Sequence, residues 1–312
     1  MRQSLAIIFV LCTLLFFSGC VVPQVDNKIK ISDRGLATSL PIYIGIQKGF
    51  FEEEGVDVEL LKVTSGNEVF NALLRSEIDV GELPIDPLIL GGAQSETGVS
   101  VFLLGEFSNM SNREFDALVV SPGSSIRSLS DLTSKKIGVF PGVTAKTFLA
   151  HYLKQKSVDI SEIEFIELPP TTQLQALSAG SIDALLTYQP TTTIAKSSGY
   201  VPIDEGIFNK LGFSYYSVYA FSPTFSKSPL SNKVQAAFVR ATNYMKENPS
   251  EARKILADNT TLGNLANEMS YFPDYRAATA EDADDIKILI KFYENSGTIS
   301  SSTGSKVEIY TP

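Results

Sequence analysis

The chain has 312 residues, 44% of them hydrophobic and 20% charged, with a formal net charge of −9. That balance is globular and excludes an intrinsically disordered chain, and an acidic surface with scattered Lys and Arg excludes nucleic acid as a natural partner. The length accommodates two domains of ordinary size.

The elements are read in chain order. Residues 1–19 read as a signal peptide, with Arg2 at the positive start and an apolar run from Leu5 to Phe17 that is too short for a mature membrane span. The run closes on Phe17-Ser18-Gly19-Cys20, which resembles the bacterial lipoprotein signal, with Phe17 where an aliphatic residue is usual. Cleavage there leaves Cys20 at the new N-terminus to carry lipid. Of the two cysteines, Cys12 then departs with the signal, so the mature chain has no free thiol. A disulfide framework, a thiolate metal site and a cysteine nucleophile are all excluded on this reading. Residues 20–27 form the lipidated N-terminus and a linker, and the acyl chains hold the protein on a membrane face.

From Lys28 onward, strand and helix patterns alternate. Lys28–Ser32 is a strand. Ile42–Gln47 is a short helix stopped at Gly49, followed by the aromatic pair Phe50-Phe51 and an acidic turn ending at Gly55. Val56–Val63 alternates as a strand, Asn67–Arg75 sets Val69, Leu73 and Leu74 on one helical face, and Ile78–Glu82 reads as a buried strand. A helix opens at Asp86–Leu90, and Val101–Gly105 is another strand. A second run begins with strand Asp116–Val120 and a capped turn at Ser130-Asp131. It continues with strand Lys136–Phe140, helix Thr144–Gln155, strand Glu164–Glu167, helix Gln173–Ala179 and strand Ile182–Thr187. Tyr215–Phe221 is strand-like. Helices are expected over Asn232–Glu247, Pro249–Asp258 and Glu281–Asn295, then a surface loop at Ser296–Ser305 and a last strand at Lys306–Tyr310.

Repeated strand–helix–strand order implies α/β architecture with mixed, mainly parallel sheets covered by helices. Two such units are followed by a helical third that needs a sheet to pack on. Sending it back to the first unit gives lobe 1 as residues 28–113 plus 222–312, and lobe 2 as 114–221. The chain then crosses twice, near Asn112–Asp116 and near Ser214–Ser222, which makes a hinge and a cleft.

These residues resemble a family. Pro41, Tyr43, Gly49, Phe50, Phe51, Glu54, Gly55, Asp57 and Val58 are similar to the start of the nitrate/sulfonate/taurine-type solute-binding proteins of ABC importers. That family also includes binders of thiamine-pyrimidine precursors and of riboflavin. Ile78-Asp79-Val80-Gly81, Lys136-Ile137-Gly138-Val139 and Ser178-Ala179-Gly180-Ser181-Ile182-Asp183-Ala184 follow in the family's order. The resemblance implies a two-lobed periplasmic-binding-protein fold of type II, closing on a small molecule by hinge motion. It also implies a monomer outside the cytoplasm whose partners are a permease, an ATPase and the membrane, with no cofactor and no catalysis.

Ligands of open α/β sheets bind beyond the carboxyl ends of the strands. That rule selects the loops Arg34–Tyr43, Thr64–Asn67, Glu82–Asp86, Phe140–Thr144 and Thr187–Thr191. Gly66 with Asn67, and Gly142 with Thr144, lead into helices whose N-termini suit an oxyanion. Ser39 belongs to the leading loop. Tyr43, Phe140, Tyr188 and Tyr215 or Tyr216 offer flat faces for a ring, while Gln189 offers a donor and an acceptor where the family often has an acid. Phe50 and Phe51 are assigned to scaffold packing. Arg34 and Lys146 are the nearby cations, Glu82 and Asp86 the nearby acids. This balance leans to a ligand with N–H donors, such as an aminopyrimidine, with sulfonate, taurine or nitrate next. An enzyme on the same fold is the alternative. Against it, the single histidine, His151, lies in a helix beside Ala150 and Tyr152 and reads as structural, and no His/Asp/Glu cluster has metal-ligand spacing.

Overall fold

The computed structural model describes residues 28–92, 96–106, 115–211, 215–269, 274–295, 299–300 and 307–312. The signal segment, Cys20, the linker, the Asn112 end of the first crossing and most of the Ser296–Ser305 loop lie outside the described residues. Among the described residues, no helix is long and apolar enough to cross a membrane.

The first sheet grows from β1 (Lys28–Asp33), which pairs in parallel with β2 (Asp57–Lys62) and β3 (Val80–Pro84). The crossover to β2 runs through α1 (Leu40–Gln47) and the single turn α2 (Phe50–Glu53); the crossover to β3 runs through α3 (Gly66–Leu74). After α4 (Asp86–Gly92) come β4 (Ser100–Glu106) and, much later in the chain, β10 (Tyr215–Phe221) and β11 (Asp274–Ala277), all joined antiparallel. The strand order is β11-β4-β10-β3-β1-β2, with β12 (Glu308–Ile309) pairing in parallel with β4.

The second sheet contains β5 (Asp116–Val120), β6 (Lys136–Val139), β7 (Glu164–Glu167), β8 (Ala184–Tyr188) and β9 (Val201–Glu205), in the order β7-β6-β8-β5-β9. Here β6 pairs in parallel with β7 and β8, and β5 runs antiparallel to β8 and β9. Its crossovers are α5 (Val143–Gln155) and α6 (Pro170–Ser178), with α7 (Thr191–Ser197) and α8 (Ile207–Lys210) after the central strand. Two mixed sheets in an α/β fold are as expected, but they are not mainly parallel: the parallel pairs lie in β3-β1-β2, β12-β4 and β7-β6-β8, and the rest of each sheet is antiparallel.

One boundary is corrected. The strand Tyr215–Phe221, expected at the end of lobe 2, is inserted between β3 and β4 of the first sheet. The chain therefore returns to the first sheet between Leu211 and Tyr215, before the strand and not within it. The physical reason is that this strand is central, and a strand covered on both faces carries no periodicity that tells which sheet it joins.

The C-terminal helices cover the first sheet, as expected. In α9 (Ser231–Glu247), Val234, Ala237, Phe238, Ala241 and Met245 form one buried stripe. They pack on the layer that holds Leu40, Ile44 and Phe51. Gly49 stops α1 at φ 74°, which turns the chain so that Phe51 enters the core edge-on to Phe238 at 5.3 Å. Phe50 lies outside, with the Arg240 guanidinium 4.5 Å over its ring. Both aromatics are scaffold. Pro249 opens α10 (Pro249–Asn259), and α11 (Asp282–Asn295) follows the edge strand β11. α11 carries Phe292 and Tyr293 against Phe148 of α5, with ring centroids at 5.6 and 6.3 Å. The helical third thus touches both lobes.

Candidate ligand-binding site

The cleft is built where strand ends from both sheets face each other. Arg34 and Pro84 come from the ends of β1 and β3, and Gly66 with Asn67 opens α3. From the second lobe, Phe140, Pro141 and Gly142 follow β6, while Thr144 and Ala145 lie in the first turn of α5. These nine residues line one cavity with a volume of about 10 Å³, room for a single water. Gly142 adopts φ 106°, which favours glycine for its backbone conformation; a Cβ there would only touch the Asn67 amide at 3.7 Å. Gly66 is packed against Pro84, where a Cβ would meet the ring at 2.6 Å.

The floor of the cleft is a buried polar network. Arg34 Nε and Nη2 donate to the two carboxylate oxygens of Glu82, each at 2.7 Å, with both side chains essentially inaccessible to solvent. Ser217 Oγ donates to Glu82 Oε1 at 2.5 Å, and Tyr275 donates to Ser217 Oγ at 2.9 Å. Tyr219 donates to the Thr38 carbonyl at 2.6 Å, joining the leading loop to the same network. Such a pair is geometrically fixed and electrically neutral, because the fork of the guanidinium meets the carboxylate with two bonds. Arg34 also lies 5.9 Å from the centroid of Phe140, a residue of the other lobe. A second contact across the cleft is backbone: Ala37 N–H donates to the Gln189 carbonyl at 3.2 Å.

Asp86 behaves differently. It begins α4, directly after β3, and is fully buried. Among the described residues neither of its carboxylate oxygens has a partner at hydrogen-bond geometry. Burial pushes its pKa up to about 6, while the nearby hydroxyls of Thr144 and Tyr293 pull the other way.

The structure brings five of the expected ligand residues onto the cavity: Gly66, Asn67, Phe140, Gly142 and Thr144. The others sit elsewhere. Tyr43 is buried in the first lobe and donates to Asp33 Oδ1 at 2.6 Å; burial, then the Asp33 charge, push its pKa far up. Ser39 is fully buried ahead of α1, near Tyr43, and among the described residues its Oγ has no partner at hydrogen-bond geometry. Glu82 is the buried partner of Arg34. Tyr188 stacks on Phe115 at 5.3 Å and lies 5.6 Å from Phe140, behind the cavity wall. Gln189 precedes a cis Pro190, and its Oε1 accepts from Thr193 Oγ1 at 2.8 Å, so the side chain is spent holding α7. Tyr215 and Tyr216 lie in β10, but their side chains lie outside the described residues. Lys146 is exposed, with its ammonium 6.0 Å over the Phe165 ring. His151 rests edge-on against Phe292 at 4.6 Å and pairs with Gln155 at 2.9 Å. Among the described residues no His/Cys/Asp/Glu group could hold a metal.

Sequence reasoning placed Arg34 near the site but not in its wall, and it did not single out Pro84 or Ala145. The available signal was the Asp33-Arg34-Gly35 turn immediately after β1. Asp33 anchors that turn by accepting from Gly35 N at 2.8 Å and from Tyr43, which leaves Arg34 to reach Glu82.

Comparison with known proteins agrees with this architecture. A taurine-binding periplasmic protein of Escherichia coli is 28% identical over 179 residues, covering 57% of this chain and 53% of that protein, so the chain spans about half the length of that relative. The periplasmic aliphatic sulphonate binding protein SsuA of Escherichia coli has the same fold, with a TM-score of 0.71 at 16% identity over 91% of this chain and 93% of that one. So does the alkanesulfonate-binding protein SsuA of Xanthomonas axonopodis pv. citri, solved bound to MOPS, with a TM-score of 0.74 at 16% identity over 88% and 95% of the two chains. At these identities the two structures speak for the fold alone, a two-lobed periplasmic-binding-protein fold. The model of the NMT1/THI5 like family matches residues 37–252, well over half of the chain, and the chain belongs to that family.

Proposed function

We propose that this protein is the solute-binding component of an ABC importer, capturing a small organic molecule between its two lobes and presenting it to a permease outside the cytoplasm. The observation that carries the reading is the convergence of Arg34, Gly66 and Asn67 from one lobe with Phe140, Gly142 and Thr144 from the other on one cavity. A ligand held by both lobes supplies the differential affinity that shifts open to closed. The names of the relatives favour a sulfonate such as taurine. The charge of the cleft favours a ligand with N–H donors, because the cation in the cavity wall, Arg34, is already neutralised by Glu82. An aminopyrimidine meets the second condition and taurine meets both, so taurine-like amino-sulfonates are placed first.

The test is a thermal-shift and calorimetric panel on the mature chain with taurine, ethanesulfonate, nitrate, 4-amino-2-methylpyrimidine and riboflavin. One class is expected to raise Tm by several degrees, as a ligand at about a hundredfold its Kd adds about 2.7 kcal/mol. No stabilisation by any of them, or turnover of a bound member, would overturn the reading. The location on a membrane face rests on Cys20 as the lipid carrier. Incorporation of labelled palmitate in a bacterial host, lost in Cys20→Ala, is the expected outcome; unlabelled protein would remove that part.

A further inference from the structure

We propose that Asp86 is the specificity-determining residue of the cleft, selecting solutes that carry an amino group or ring-amino N–H donors. The inference rests on the solute-capture reading and assigns a residue to it. Two carboxylates stand near the carboxyl end of β3, Glu82 within the strand and Asp86 two residues beyond it. Glu82 is not available to a ligand, since it already accepts from Arg34 twice and from Ser217. Asp86 is equally buried, yet among the described residues neither of its oxygens has a partner at hydrogen-bond geometry. A buried polar group without a partner is rare in folded proteins and calls for an explanation, and for a carboxylate the desolvation cost is the highest of any acceptor. With its pKa at about 6, Asp86 is mostly ionised at neutral pH, and the nearby hydroxyls of Thr144 and Tyr293 offset only part of that cost.

Its position supplies the compensation. Asp86 lies at the carboxyl end of β3, where this fold places ligands. The neighbouring hydroxyl is Thr144, which belongs to the other lobe and lines the cavity. A ligand nitrogen seated at Asp86 is therefore held by lobe 1 and walled by lobe 2, so recognition of the amino group and closure of the hinge are one event. The same carboxylate beside the first turn of α5 takes the place that an anion would need at that helix N-terminus. An anionic group on the ligand is left to the Gly66–Asn67 turn at the start of α3.

The experiment uses matched pairs on the mature protein: taurine against ethanesulfonate, and 4-amino-2-methylpyrimidine against 2-methylpyrimidine, by calorimetry at neutral pH. In at least one pair the amino member is expected to bind about tenfold tighter or better, the range of a charge-assisted hydrogen bond in a buried site. In Asp86→Asn that gap should close to within about threefold, while Tm of the ligand-free variant holds or rises because a buried charge is gone. If solutes bind but the amino-free members bind equally well or better, the role of Asp86 is overturned and solute capture survives. If no member of either pair binds, the inference and the sulfonate and pyrimidine readings fall together. Should Asp86→Asn fail to fold, the comparison within each pair on the unmodified protein still decides.

Discussion

At the scale of single residues, the informative groups are carboxyls that burial has made weak acids. Asp116 begins β5 and accepts from the Ile207 and Phe208 backbone N–H groups at 2.7 and 3.3 Å. Burial raises its pKa to about 7 against those bonds, with the Asp204 charge adding to the rise. Asp86 is raised to about 6. A carboxyl whose folded pKa lies above its unfolded value binds more protons in the native state, so stability falls as pH rises between the two values. The window here runs from about pH 4 to about pH 7. Asp282 works in the opposite sense: despite burial, Arg276 and Thr279 hold it down to about 2, so its contribution is lost only below that window. Chemical denaturation is thus expected to show stability declining from pH 4 to pH 7 by several kcal/mol, each pKa unit being worth about 1.36 kcal/mol. Asp86→Asn should remove its share of the slope. A profile that is flat or rises across this window would contradict the burial of both groups.

At the scale of elements, the stretch from α1 to β2 shows how a sequence motif becomes a packing requirement. The built Cβ of Gly45 would meet Phe51 Cε2 at 2.4 Å. Phe51 is buried and held edge-on by Phe238, so the ring has nowhere to move. Gly45→Ala gains about 1 kcal/mol of helix propensity, but overpacking costs about 1–3 kcal/mol. With the ring pinned, the clash wins. A net loss of about 1–2 kcal/mol, read as a fall of a few degrees in Tm, is expected; an unchanged or higher Tm would mean that the α1–α2 contact is looser than it stands. Most elements of this kind were legible. The strands Asp116–Val120, Glu164–Glu167 and Tyr215–Phe221 occupy the residues that their apolar patterns mark. What was not legible depends on packing. α7 is a Thr-rich turn with poor helix propensity, and it forms because Gln189 Oε1 accepts from Thr193. The short strands β9 and β11 alternate too briefly to be separated from loop. The site was half legible for the same reason. Glycine turns before helices declare themselves locally, and Gly66 and Gly142 reach the cavity. The direction in which Tyr43 or Tyr188 points is decided by distant partners, Asp33 in one case and Phe115 in the other.

For the whole molecule, the question is what holds the lobes together when no ligand does. Besides the backbone bond from Ala37 to Gln189 and the approach of Arg34 to Phe140, Ser197 of α7 donates to Glu268 beside the first lobe. The larger contact is made by α11, where Phe292 meets Phe148 at 5.6 Å and His151 at 4.6 Å on α5 of the second lobe. Since α11 follows β11 of the first sheet, this aromatic contact spans the two lobes. An aromatic pair is worth about 0.5–1.5 kcal/mol beyond its burial, so two such contacts bias the open–closed equilibrium by about 1–3 kcal/mol. Phe292 is only partly buried, and trimming it leaves both sheets intact. Phe292→Ala should therefore act on the equilibrium more than on folding. Small-angle scattering should show a larger radius of gyration for the ligand-free variant than for the unmodified chain, with the two converging once ligand is saturating. Because apparent affinity scales with the fraction of binding-competent molecules, Kd should weaken about tenfold. If Phe292→Ala leaves both the radius and Kd unchanged, the hinge and the other contacts between the lobes set the equilibrium, and α11 belongs to the first lobe without governing the second.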